Sequence, residues 1–138
     1  MDINVNVDNL DTAIAEVLKD WSENEVHRAT NEAIKETAKV TAKLLKQGGP
    51  YKERTGKYTK DWSHKLKKGA YNHITQTETW VVYNKKNYRL THLLEKGHQV
   101  MRGGRKVGEA KKFEHIFPAY EFAEDYLIMA IGRHIETG

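Results

Sequence analysis

The sequence has no cysteine, two prolines and no long apolar run. The missing cysteines exclude disulfides, thiolate metal sites and cysteine nucleophiles, and they agree with an intracellular origin. No stretch approaches the roughly 18 apolar residues that a membrane-spanning helix needs, so we expect no membrane partner. The first residues contain neither the basic segment nor the apolar segment of a signal peptide, so no signal peptide is predicted.

The charge of the chain is unevenly distributed. With 138 residues, of which 30% are charged and 38% hydrophobic, we expect one domain over residues 1–138. The net charge of +4 is the result of −3 over residues 1–49, +11 over residues 50–112 and −4 over residues 113–138. A basic centre attracts nucleic acid or the acidic ends of a neighbouring copy. The charge pattern alone leaves both partners open.

The two acidic ends have helical patterns. Residues 3–7 alternate and predict a short strand, and residues 9–47 predict two helices divided at Trp21–Ser22, where Ser22 and Glu25 form a capping box. The inner stripe of the second helix is narrow and rich in small residues, which predicts a helix lying across a sheet or against a partner subunit. At the other end, Pro118 suits a first helical turn, and apolar spacing predicts a helix over residues 118–136.

The predicted sheet region, residues 61–117, has a mixed pattern. Alternation from Trp62 to Leu66, the strand formers of residues 73–83 and the segment Phe113 to Phe117 predict strands. Tyr88 to Glu95 predicts a short helix that ends at Gly97. Its expected apolar side is Leu90, Leu93 and Leu94. Residues 98–112 predict a mobile loop or a loose hairpin. The predicted fold class is α+β, with an antiparallel sheet of about 3–4 strands packed against a long N-terminal helix and a C-terminal helix.

Histidine is the residue type that most invites a catalytic or metal-binding interpretation. His92, His98 and His115 would bind a metal or perform acid–base chemistry if they met in space. However, no histidine pair stands at i, i+4 beside a carboxylate. We therefore favour packing or surface roles, and expect no catalytic residue, no metal and no cofactor. For Glu95 and His98, an ordinary helix end is also favoured over an acid–base pair.

The glycine-rich segment Arg102 to Gly108 lacks the residue order of a phosphate-binding loop, so no nucleotide site is predicted. Its cations and those that follow are candidates for contact with DNA phosphates or with a partner protein. These candidate contact residues are Arg102, Arg105, Lys106, Lys111 and Lys112. The alternative is a solvated loop. The aromatic residues Trp62, Trp80, Tyr83 and Tyr88 would suit a base-stacking platform, but core packing is favoured for Trp62 and Trp80.

Three stretches carry a family resemblance in their order and spacing. They are Arg54-Thr55-Gly56-Lys57-Tyr58, the L-E-x-G-H segment that ends at His98, and the H-I-x-P-A segment that begins at His115. Together they resemble the small tail-component family of long-tailed (siphovirus-type) bacteriophages, also called tail-completion or head-to-tail joining proteins. The family-motif positions in this sequence are Thr55, Gly56, Leu94, Glu95, Gly97, His98, His115 and Pro118. Two departures are Glu53-Arg54, where a proline is common, and the long basic segment 98–112.

The resemblance implies a structural role without a reaction or a cofactor. It implies a subunit of the virion tail or neck, made in the cytoplasm of the bacterial host, that forms a hexameric ring with copies of itself. The implied partners are tail terminator, tail tube or neck proteins, with passing double-stranded DNA close by. The alternatives are a basic nucleic-acid-binding module of another kind and a small toxin-type ribonuclease.

Overall fold

The computed structural model describes residues 1–8, 23–51 and 56–137. The predicted first helix with its boundary at Trp21–Ser22, and the motif residue Thr55, lie outside these residues. In chain order the described elements are β1 (Ile3–Val5), α1 (Glu23–Lys46), α2 (Lys57–Lys60), β2 (Trp62–Leu66), β3 (Trp80–Asn84), α3 (Tyr88–Lys96), β4 (His98–Arg102), β5 (Arg105–Ala110) and α4 (Ile116–Thr137). The α+β prediction is confirmed.

Three strands form an antiparallel sheet in the order β1-β3-β2. Val82 is at its centre, opposite Ile3 on one side and His64 on the other. Because successive side chains of a strand point to opposite faces, Ile3, Val82 and Trp62 share a face. That face forms the core with α1. The sheet therefore has one helix-covered side, as expected for an α+β fold.

The long helix α1 lies between the sheet and α4. Its buried stripe is wider than predicted, because the sheet covers one side and α4 covers another. Small side chains are common among the buried residues of both helices, a composition that allows helices to pack closely. They include Ala29, Ala33, Thr37, Ala38 and Ala42 on α1 and Ala119, Ala123 and Ala130 on α4. Beyond them, the Arg133 guanidinium donates to Glu36.

The strand predicted over residues 73–83 is too long, since β3 begins only at Trp80. Residues 72–77 form a turn instead. The Asn72 side-chain oxygen accepts hydrogen bonds from the N–H groups of Ile74 and Thr75, at 3.0 and 3.1 Å. Gln76 follows with a positive φ of 55°. The local bonds of asparagine thus outweigh the strand propensity of the surrounding threonines and isoleucine.

None of the helices in the described ranges is long and apolar enough to cross a membrane.

Candidate functional site

Glu95, near the end of α3, caps the start of α4. Its Oε1 accepts the backbone N–H groups of His115 and Ile116 at 2.7 and 2.9 Å, and its Oε2 accepts that of Phe117 at 3.0 Å. A carboxylate is favoured there, because the first N–H groups of a helix have no partner within the helix and carry partial positive charge. Pro118, the next residue, has no N–H to satisfy. The predicted strand Phe113 to Phe117 is wrong because these N–H groups bind Glu95 and the helix begins at Ile116.

The carboxyl group of Glu95 is ionised at neutral pH. Burial acts to raise its pKa, but the hydrogen bonds from His115, Ile116 and Phe117, together with the His115 ring, lower it below the ordinary value of 4.5. The three N–H donors replace the water that burial removes, and they stabilise the anion. The cap is therefore charge-assisted, which makes each hydrogen bond stronger than a neutral one.

His115 extends this contact into a buried network. Its Nδ1 lies 2.9 Å from the carbonyl oxygen of Phe113 and 3.1 Å from Glu95 Oε1. Since both neighbours are acceptors, Nδ1 carries a proton. On the opposite side of the ring, Nε2 lies 2.6 Å from the Tyr58 hydroxyl, which in turn lies 2.9 Å from Thr91 Oγ1. The network, which we call the Glu95–His115 junction, consists of Glu95, His115, Tyr58 and Thr91.

All four side chains of the Glu95–His115 junction are buried. The rings of Tyr51 and Trp62 pack edge-on against His115, with centroid distances of 5.0 and 6.3 Å. An acid–base pair needs a substrate within hydrogen-bonding reach, whereas here the carboxylate and Nδ1 bind groups of the chain itself. What the arrangement does physically is hold α2, α3 and the start of α4 together.

Gly97 joins this junction to the next two strands. It has a φ of 71° and a ψ of 175°, a region that only glycine adopts readily. A β-carbon at this position would lie 2.7 Å from the carbonyl oxygen of Ala110. The Phe113 N–H also donates to the Leu94 carbonyl oxygen at 2.6 Å. Residues 98–112 therefore leave and return at one point, the C-terminal end of α3. The helix ends before Gly97, as predicted.

Residues 98–112 form an antiparallel hairpin of β4 and β5, one of the two predicted alternatives. The strands are joined by Gly103 and Gly104, whose φ angles of 54° and 76° are those of a type I′ turn. The register shifts between Val100 and Met101, which leaves Val107 as the extra residue of a bulge. All residues of β4 are exposed. No other described element packs extensively on the hairpin.

The five candidate contact residues, Arg102, Arg105, Lys106, Lys111 and Lys112, are all exposed on or beside this hairpin. Arg102 and Arg105 are opposite each other at the turn. Lys106 bonds Glu109 at 2.6 Å and Lys112 bonds Glu114 at 3.1 Å, both as exposed pairs of little energetic value. Exposed apolar side chains accompany the cations, namely Val100, Met101 and Val107. The hairpin surface is thus both basic and apolar.

The predicted apolar side of α3 is wrong for two of its three leucines. Leu90 and Leu93 are exposed, and Leu94 is half-buried. The helix instead turns Thr91 and Glu95, four residues apart, into the Glu95–His115 junction. Hydrogen bonding to Tyr58 and to the start of α4 therefore decides which face is buried, rather than the leucine content.

The three histidines considered for metal binding differ in their exposure. His92 and His98 are exposed, whereas His115 is buried. The described part of the chain holds no group of three or more metal-ligating side chains. Glu95 pairs with His115 rather than with His98, which begins β4. One feature of the sequence could have indicated this pairing. Neither Glu114 nor His115 is an ordinary N-cap residue, so the strongly predicted helix that follows needs a capping side chain from elsewhere.

The aromatic residues proposed for base stacking do not share a surface. Trp62 is buried in the core, 5.7 Å from the Tyr58 ring. Trp80 and Tyr83 are half-buried beneath the ammonium groups of Lys35 and Lys65, at 5.7 and 4.5 Å. Tyr88 is exposed on α3. Core packing, the interpretation favoured for Trp62 and Trp80, is confirmed, since Trp62 belongs to the core and Trp80 packs against it.

The remaining motif residue that the structure describes is Gly56. Its φ of 73° turns the chain immediately before the single-turn helix α2. That turn places Tyr58 in the Glu95–His115 junction.

Comparison of the chain with protein-family models, with curated proteins and with solved structures finds no match.

Proposed function

We propose that this chain is a structural subunit of a bacteriophage tail or neck, which forms a ring with its own copies and helps to join the tail to the head. The observation that carries the proposal is the Glu95–His115 junction. The two most specific motif stretches, L-E-x-G-H and H-I-x-P-A, meet there and close the base of an uncovered hairpin. No reaction and no cofactor belong to this role.

The geometry of the junction favours assembly over catalysis. A catalytic carboxylate–histidine pair has to reach a substrate, whereas Glu95 and His115 bind backbone groups of their own chain. Their physical effect is to fix α3, α4 and the hairpin base relative to one another. A rigid base that presents an exposed basic and apolar hairpin is what a contact between subunits requires.

The mutation that tests this function is a nonsense codon in the gene, within the phage that carries it. We expect DNA-filled heads and separate tails in the lysate, and joined virions when the chain is supplied from a plasmid. Mass spectrometry of purified virions should detect the chain. Joined, infectious particles without the chain would overturn the proposal.

A second candidate, a nucleic-acid-binding module, is favoured by the exposed arginines at the hairpin turn. Phosphate contacts make binding weaken steeply with salt. A module of this kind should bind a short DNA duplex tightly at low salt, and R102A/R105A/K106A should flatten the salt dependence. The control K68A/K85A/K86A removes as many exposed charges away from the hairpin. The structural role predicts weak binding and similar salt dependence for both variants.

A further inference from the structure

The β4–β5 hairpin has a surface that no other described element covers extensively. An isolated two-stranded hairpin is marginal in water unless its side chains pack against another element. Here Met101 and Val107 are 52% and 57% exposed, beside Val100. Residues 98–112 also have a net charge of +4. The hairpin therefore suits a partner surface that is apolar and acidic.

The outward face of α4 has this complementary chemistry. Ala123, Leu127 and Ala130 turn inward to the core, while Phe117, Ile128 and Met129 are roughly half exposed on the opposite side. Three acidic residues lie between these apolar side chains, and residues 116–132 contain no lysine or arginine. They are Glu121, Glu124 and Asp125. The acidic and apolar face of α4 is thus defined by Phe117, Glu121, Asp125, Ile128 and Met129.

The two surfaces are similar in length. From His98 to Arg102, β4 extends for about 14 Å at the rise of an antiparallel strand. From Phe117 to Ile128, α4 rises about 17 Å at 1.5 Å per residue. A hairpin lying along the helix would therefore place Arg102 and Arg105 beside the acidic cluster. Val100, on the same face of the hairpin, would lie near the apolar side chains at one end of that cluster.

We propose that the hairpin of one copy packs on the acidic and apolar face of α4 of a second copy. One face of the hairpin, which carries Val100, Arg102 and Arg105, makes the contact. The two arginines meet the carboxylates, while Val100 covers the apolar side chains. The second copy is the occupant because one chain carries both halves of the match in charge, polarity and length. Hairpin and helix are different patches, so the contact is head-to-tail and continues from copy to copy until it closes as a ring.

This inference names the contact that would build the proposed ring. It rests on the proposed function only in assuming that the ring closes. The contact between two copies is measured on purified protein, whereas the proposed function is measured on virions. If the contact forms but virions assemble without the chain, the function fails and the contact stands. If the chain is needed in virions but the variants below assemble normally, the contact fails and the function stands.

Two variants, each broken on one surface, test the contact. R102S/R105S alters the hairpin and leaves α4 intact, while D125S/I128S alters α4 and leaves the hairpin intact. We expect the wild-type chain to form concentration-dependent oligomers in native mass spectrometry, and each variant alone to associate at least tenfold more weakly. An equimolar mixture should give a 1:1 dimer that does not grow, because one intact contact remains.

The control K85S/K86S changes exposed residues of the turn after β3 and should assemble like the wild type. Circular dichroism checks that each variant is folded, and the recovery of a dimer in the mixture shows that both broken variants keep one working surface. A wild-type chain that stays monomeric up to about 1 mM overturns the proposal and leaves the hairpin to another acidic partner. Normal assembly of either variant, or a mixture without dimers, overturns it as well.

Discussion

The three-stranded sheet and the β4–β5 hairpin are made of strands of similar length but lie in opposite environments. Val82 at the centre of the sheet is 0% exposed, whereas Val107 on the hairpin is 57% exposed. The sheet is held by α1 across one face. The hairpin is held at its two ends, by the glycine turn and by Gly97 against Ala110. Burial of side chains thus stabilises the sheet, whereas glycine backbone geometry determines the conformation of the hairpin.

This difference in burial explains at which positions a substitution affects the stability of the subunit. The buried side chains of the sheet and of the Glu95–His115 junction have neighbours that lose contacts when they are altered. On the hairpin, side chains face water in the single subunit, so their replacement leaves its stability nearly unchanged. Contacts between copies would then be the property that the hairpin side chains affect.

The largest effect is expected for Glu95→Ala, which removes the link between the hairpin base and the body. Three backbone N–H groups and His115 lose their acceptor, and we expect the free energy of unfolding to fall by about 3 kcal/mol. Urea denaturation followed by circular dichroism measures this. The control is Glu109→Ala on the hairpin, whose exposed pair with Lys106 should contribute no more than about 0.5 kcal/mol. Equal losses in the two variants would contradict the comparison.

A smaller effect is expected for Gly97→Ala. The positive φ strains any other residue, and the new methyl group would collide with the Ala110 carbonyl oxygen. We expect a loss of about 2 kcal/mol in unfolding free energy. Gly108→Ala is the matched control on β5, because a β-carbon there meets no atom within 4 Å. The idea of a geometric clamp would be abandoned if Gly108→Ala cost as much as Gly97→Ala.

A pH series isolates the charge of Glu95. Its pKa in the folded chain is lowered from 4.5, so the unfolded state binds more protons as the solution becomes acidic. The stability that the carboxylate contributes is complete above about pH 4.5 and is lost as the pH falls through the folded-state pKa. The difference in unfolding free energy between the wild type and Glu95→Gln should therefore shrink on acidification from pH 6 to pH 3. The same series with Glu109→Gln should show little difference at either pH.

The smallest effect is expected for Val107→Ala in dilute, monomeric protein. We expect a change in unfolding free energy within about 0.5 kcal/mol, because the side chain has few contacts to lose. Val82→Ala, the same substitution in the sheet, should cost about 2 kcal/mol through the cavity it leaves. Similar costs at the two positions would show that the hairpin is covered within one subunit, contrary to its exposure.

Local patterns in the sequence predicted much of the fold. The spacing of apolar residues indicated α1 and α4, and the alternation from Trp62 to Leu66 indicated β2. The errors arise where a single polar side chain overrides propensity. Asn72 makes a turn of threonine-rich residues, and Glu95 turns the predicted strand at residues 113–117 into the start of α4.

The exposure of the five candidate contact residues was predictable, because clustered cations among glycines are typical of a solvent-exposed segment. Their contact with DNA or a partner stays a prediction. The Glu95–His115 junction was not predictable, because its partners are 20 residues apart in sequence and the pairing depends on the folded chain. The same network turned Leu90 and Leu93 to the surface, which no count of apolar residues along α3 indicates.

The hydrogen bond between Tyr58 and His115 spans 57 residues, and it has a consequence for the order of events in folding. Contacts between distant parts of a chain form late, since a long loop has to close first. The hairpin turn is local and can form early, but its base is fixed only when this distant bond is made. A chain that is still incomplete or misfolded therefore cannot hold its hairpin in the orientation that a neighbour would need. If copies associate as we propose, the hairpin would reach the orientation for that contact only after the rest of the chain has folded.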